Sequence, residues 1–188
     1  AALDRLAERV LAAADTLPEH PTEFELMTAI GFLWFAEAGC DLVVVEVGLG
    51  GRLDSTNVIP APEAAVITNI GLEHTAILGS TLAAIAAEKS GILKPGCRAV
   101  LYGQSREVGE IVARACVEKN IPLTVTDDSQ LTLLSSGLDG QRFTYRGSAP
   151  LLLPLLGDYQ LRNAMTVLDT VDALRAQGRN ISADAVAR

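Results

Sequence analysis

The chain has 188 residues, with 15 basic against 23 acidic side chains, a formal net charge of −8 and a sequence pI near 4.7, a balance that argues against nucleic acid as a partner. Hydrophobic residues at 49% and charged residues at 20% belong to a globular chain with a sizeable core, and 4% aromatic content is too low for a stacking surface on single strands. The longest stretch free of Asp, Glu, Lys and Arg, the 14 residues from His74 to Ala87, falls short of the ~18 that a membrane span needs.

A helical pattern begins at the first residues, with Leu3, Leu6, Val10 and Leu11 on one face, and no initiator Met precedes it. That start lacks the basic and apolar regions of a secretory signal, and three cysteines, Cys40, Cys97 and Cys116, cannot all pair with one another, so a cytoplasmic protein is expected. Thr22-Glu-Phe-Glu25 matches a capping box ahead of the apolar run Phe24 to Phe35, which predicts a largely buried helix over 22–38 with Gly39 as its stop. The β-branched runs at 41–48 and 65–70 lack alternation, so both are expected as central strands of a parallel sheet covered on both faces. A helix from Ser80 or Thr81 to Ser90, a strand at 98–102, a helix at 106–119 and a strand at 123–126 continue an α/β alternation. From Gln130 to Leu156 short runs around a turn at 137–140 predict a small antiparallel sheet, and a helix follows over about 159–177. Ser182 reads as the cap of one more helix, cut short at Arg188, so both ends suggest a fragment of a longer protein.

Within this order a few residues stand out. Glu46 is a carboxylate inside Val-Val-Val-Glu-Val, where burial demands a cation or donors. His74 falls just past the carboxyl end of the next strand, where open α/β sheets place their ligands, and both residues are expected to reach one crevice. A carboxylate and an imidazole suit a divalent metal; the plain alternative is Glu46 bonded to loop amides and His74 capping a strand end. Lys89 sits late in an apolar helix, and a solvated surface lysine competes there with a desolvated amine that takes up carbon dioxide as a carbamate. The loop Gly48-Leu-Gly-Gly-Arg-Leu-Asp-Ser55 lacks the third glycine of a dinucleotide fingerprint, and Thr68 stands where its acidic residue belongs. No Walker A pattern occurs.

Four motifs together resemble one family. They are Thr22 to Glu25, LVVVEVGLGGRLDSTNVI at 42–59, VITNIGLEHTAILGSTLAAIAAEKSGILKPG at 66–96 and LPLLGDYQLRNA at 153–164. In order and spacing they are similar to the folylpolyglutamate and dihydrofolate synthases, relatives of the Mur ligases. The resemblance implies a partial ATP-binding domain over 1–188, lacking a preceding P-loop segment and a following C-terminal domain. Its fold would be α/β, a three-layer, mostly parallel sheet flanked by helices with a small antiparallel subsheet. By position, Glu46 and His74 fall on the family's Mg²⁺ ligands, Lys89 on its carbamylated lysine and Asn163 on its adenine contact. Thr22, Glu23, Phe24, Glu25, Leu53, Asp54 and Ser55 fall on segments that hold the pterin. Glu73 and Tyr159 depart from the family's usual Asp and His.

The implied chemistry is ATP-dependent amide formation, in which the carboxylate of dihydropteroate or folate takes the γ-phosphoryl group and L-glutamate displaces phosphate. No nucleic acid or membrane partner is implied, the whole protein is expected to be monomeric, and the isolated chain is expected to be inactive. Three other readings compete: a Mur-type cell-wall amino-acid ligase, a non-catalytic binding module, and a purely structural α/β domain, which would leave Glu46 without a cation.

Overall fold

The computed structural model describes residues 2–187 and divides the chain into two compact units, one running to Val58 and the other starting at Ile59. In the first unit, α1 (Ala2–Ala14) buries Leu6, Val10 and Ala14, while Leu3 and Leu11 of the expected apolar face stay exposed. It packs on α2 (Glu23–Ala38), where Arg5 and Arg9 both pair with Glu37. The capping box is present as expected: Thr22 Oγ1 accepts the Glu25 amide at 3.3 Å, and the Glu25 carboxylate accepts the Thr22 amide at 2.7 Å. Caps of this kind are worth about 1 kcal/mol.

Two expectations for this unit are overturned. No residue of α2 is buried, and Phe24, Met27 and Trp34 are each about half exposed, because among the described residues only α1 and a short 3₁₀ turn (Ser55–Val58) pack extensively on a helix that is apolar all round. The run at 41–48 forms no strand: it has no ladder partner among the described residues, and Val44 is 91% exposed. Side-chain character favours an extended chain, but a strand exists only where a second backbone accepts its hydrogen bonds.

The second unit follows the expected alternation closely. Strands β1 (Ala64–Ile67), β2 (Arg98–Leu101) and β3 (Leu123–Val125) form a parallel sheet in that order, with Val66 paired to Val100 and Val100 to Thr124. The centre is therefore β2, whose Ala99, Val100 and Leu101 are all at most 2% exposed, and not the run at 65–70, which was expected to be central but supplies β1, an edge strand among the described residues. Between β1 and β2 run α3 (Thr75–Leu78) and α4 (Leu82–Lys89), and between β2 and β3 runs α5 (Arg106–Glu118), which packs on both α4 and β2.

After β3 come β4 (Leu131–Gly137), β5 (Gly140–Tyr145) and β6 (Leu151–Leu153), a separate antiparallel sheet in that order. The helix α6 (Asp158–Ala176) serves both sheets. It packs on β1 and β2, and its Leu161 and Met165 form one buried cluster with Phe143 and Tyr145 of β5. A polar staple sits beside this cluster. Tyr145 donates to the buried Asp169 of α6 at 2.9 Å, Arg146 donates to the other carboxylate oxygen at 2.9 Å, and the Tyr145 hydroxyl accepts the Asp127 amide at 3.2 Å. A short helix, α7 (Ala183–Ala187), ends the described chain with Ser182 as its cap. No described helix is long and apolar enough to cross a membrane.

Candidate functional site

The first unit brings the two proposed pterin segments together. Asp54 organises the glycine loop: its carboxylate accepts the amides of Leu49 at 2.8 Å and Thr56 at 2.9 Å, and also the Thr56 hydroxyl. Burial pushes this carboxyl up, but the hydrogen bonds from Thr56, Leu49 and Gly48 outweigh burial and hold it below the ordinary carboxylate value. The loop then closes on α2. The Phe24 ring lies against Gly48 so tightly that a Cβ there would stand 2.6 Å from Phe24 Cζ, so a larger residue would push the ring aside. Thr28 donates to the Phe24 carbonyl at 2.7 Å and lies 3.0 Å from the Ser55 hydroxyl. Thr28 was not a sequence candidate; its signal is the i, i+4 spacing from Phe24, which puts both on one helix face. Leu53, 79% exposed, and the half-exposed Phe24 leave apolar surface open to a ligand, while Thr22, Glu23 and Glu25 occupy the start of α2.

Glu46 precedes this loop by two residues. The expectation of a desolvated carboxylate is not met, because without a ladder the segment is open to solvent and Glu46 is exposed. Its carboxylate has no protein partner among the described residues.

In the second unit the chain leaves β1 and reaches His74 in a left-handed conformation, φ 49° and ψ 36°, which costs a non-glycine residue about 1 kcal/mol. The His74 carbonyl accepts the amides of Ile77 and Leu78, both at 2.9 Å, which opens α3, while its imidazole makes no side-chain cap and is exposed. Lys89 ends α4 and reaches Glu73, the neighbour of His74, with Nζ 3.1 Å from Oε1. The Lys89 side chain, 25% exposed, is thus held by an ion pair, neither free at the surface nor sealed in the core.

Asn163 lies on the exposed side of α6 near its start, and its amide donates to Gln160 at 3.3 Å. Beside it, at the carboxyl ends of β2 and β3, an open cleft of about 640 Å³ is lined by Gln104, Asp127, Asp128 and Arg162 among others. Arg162 pairs with Asp128 at 2.8 Å, and Gln104 is spent on the backbone, accepting from Ile70 and donating to Thr68 and Tyr102.

As potential metal donors, Glu46 in the first unit offers a carboxylate oxygen and His74 in the second an imidazole nitrogen, and neither side chain has a protein partner among the described residues. No group of three or more His, Cys, Asp or Glu able to hold a metal occurs among the described residues.

The chain is similar to known proteins across nearly its whole length. It is 37% identical over 183 residues to the folylpolyglutamate synthase of Lacticaseibacillus casei, covering 94% of this chain and 41% of that protein. It is also 37% identical over 179 residues to the dihydrofolate synthase/folylpolyglutamate synthase of Mycobacterium tuberculosis (strain ATCC 25618 / H37Rv), covering 88% of this chain and 36% of that protein. Among solved structures, an FPGS–AMPPCP–folate complex superposes with a TM-score of 0.81 at 32% identity over 98% of this chain and 45% of the other. The chain thus spans about two fifths of the length of the curated relatives it matches. Residues 10–171 match the Mur ligase middle domain, and the chain belongs to that family.

Proposed function

We propose that this chain is the ATP-binding core of a ligase that joins L-glutamate to dihydropteroate or folate, with the intervening acid carried as an acyl phosphate. The observation that carries this reading is the likeness to a complex of the same fold with an ATP analogue and folate, extending across both units at 32% identity. The first unit supports it independently, since the capping-box turn and the glycine loop stand together through Thr28 and Ser55 and leave Phe24 and Leu53 exposed as apolar surface for a flat heterocycle.

In this reading each residue has a bounded task. Asp54 shapes the loop, its oxygens already being spent on Leu49 and Thr56, while Thr22 to Glu25 and Leu53 to Ser55 orient the pterin and hold its carboxylate at the reacting end. Asn163 reads the adenine edge. Glu46 and His74 are the donors offered to Mg²⁺, which when bound neutralises charge on the transferring phosphoryl group. Lys89 is the lysine that carries a carbamate: released from Glu73, its ammonium gives up one proton to become the amine, which adds to carbon dioxide and loses a second.

The test is substrate choice in the full-length protein. ATP-dependent incorporation of L-glutamate into dihydropteroate or folate is expected, and incorporation of an amino acid into a UDP-muramoyl acceptor instead would assign it to cell-wall ligation. ATP binding without turnover on either acid would favour the binding module.

A further inference from the structure

Gln141 on β5 is 2% exposed, among the most deeply buried polar side chains described, and it touches no proposed substrate contact. A buried amide is costly unless its donors are used, and here they are used on one stretch of backbone: Nε2 donates to the carbonyls of Leu155 at 2.9 Å and Gly157 at 3.2 Å. Those carbonyls belong to the turn that opens α6, the helix carrying Gln160 and Asn163.

That turn has little else to fix it. Its cap, Gly157, stands at φ 106° and has no side chain to accept helix amides, and a Cβ there would lie 2.8 Å from Tyr159 Cε1. The Gly157 carbonyl also accepts the Gln160 amide at 3.0 Å, so one oxygen joins Gln141 to the first helical turn. On the strand side the position is equally constrained. Gln141 pairs with Leu153 in the ladder, and a Cβ on the neighbouring Gly140 would stand 2.4 Å from the Leu153 carbonyl oxygen. The second brace is the ion pair between Arg162 on α6 and Asp128 in the turn after β3.

We propose that Gln141 is a positioning residue for the nucleotide: by holding the Leu155 and Gly157 carbonyls it sets the start of α6 and thereby the placement of Gln160 and Asn163. This rests on the reading of Asn163 as the adenine contact. It predicts that nucleotide affinity depends on a buried amide in the antiparallel subsheet, remote in sequence from the proposed phosphate and metal residues.

The experiment compares full-length wild type with Gln141→Met, which keeps the volume and removes both donors, and Gln141→Glu, which keeps the shape and turns an acceptor on the two carbonyls. KM for ATP is expected to rise about tenfold, the effect of losing two net hydrogen bonds, with KM for the pterin acid and for glutamate within about twofold. Amide exchange at 158–163 should accelerate in the same variants. If either variant fails to fold, Asp128→Ala removes the solvent-exposed brace and should raise KM for ATP about threefold. An equal rise in all three KM values, or faster exchange at 158–163 with an unchanged KM for ATP, overturns the proposal and leaves Gln141 a purely structural brace. A wild-type protein that binds no adenine nucleotide overturns the reading of Asn163 and this role together, a failure separable from the others because it appears before any substitution.

Discussion

The two units are ordered by different interactions. In the second, β2 is sealed on all sides, with Val100 fully buried, and α6 locks two sheets together through Phe143, Tyr145, Leu161 and Met165. In the first, among the described residues only α1 contributes buried apolar side chains, Leu6, Val10 and Ala14, while α2 buries none and is tied in by polar links near the surface: the Thr22–Glu25 box, Asp54 in its loop, and Glu37 with Arg5 and Arg9. Apolar runs therefore meet opposite fates, Val100 inside a ladder and Val44 in solvent. Burial follows the partner, not the residue.

The sharpest way to break this contrast is to place a carboxylate in each run. Val100→Asp should cost more than about 4 kcal/mol and unfold the second unit, whereas Val44→Asp should change stability by less than about 0.5 kcal/mol. Urea unfolding of the two variants measures both; comparable losses would mean that 41–48 is packed after all.

That outcome also separates what the sequence conveys from what it does not. The alternation of the second unit was legible nearly residue by residue, because Val66, Val100 and Val112 sit in short, strongly patterned elements closed by Gly, Pro or a cap, and local chemistry and tertiary partners agree there. The capping box was legible for the same reason, being complete within four residues. What failed at 41–48 and in α2 was the inference of burial, since apolar character does not say whether a covering element is present. Glu46 and His74 stood out by their places within and just past apolar runs, whereas Asn163 was visible only through motif resemblance; Thr28 left a weak local signal in its i, i+4 spacing from Phe24, and Gln141 and the Glu73–Lys89 pair left none, because each depends on a contact that no local spacing encodes.

A smaller effect sharpens the description of the second unit. Tyr145→Phe keeps the ring in its cluster but deprives buried Asp169 of a donor and the Asp127 amide of its acceptor, an expected loss of about 1 to 3 kcal/mol by thermal or urea unfolding. A neutral result would mean that Arg146 alone satisfies Asp169.

The units should also answer acid to different extents. The hydrogen bonds and charges of Arg5 and Arg9 hold the Glu37 carboxyl down at about 2, against an ordinary 4.5, and Glu25 and Asp54 are likewise lowered. Lowered carboxyls contribute stability that is complete above their unfolded values and lost as pH falls through the folded ones, so acidification from about pH 5 towards 2 should loosen the first unit. The second unit is mixed: Arg179 holds Glu63 low and Ser129 holds Asp127 low, whereas burial pushes the Asp169 carboxyl above its ordinary 3.8, so falling pH relieves a buried charge there while it weakens the other two contacts. Amide exchange followed from pH 6 to pH 2.5 should therefore show protection lost first in 23–38, and Glu37→Gln should flatten that dependence. Uniform loss across both units would contradict the assignment.

The central claim is that the protein activates a carboxylate with ATP. Full-length protein supplied with dihydropteroate labelled with ¹⁸O in its carboxylate, L-glutamate and ATP should release phosphate carrying one ¹⁸O per turnover, because the acyl oxygen leaves with the phosphoryl group when the amine displaces it. Phosphate free of label during amide formation, or ATP cleavage indifferent to the pterin acid, would contradict the account.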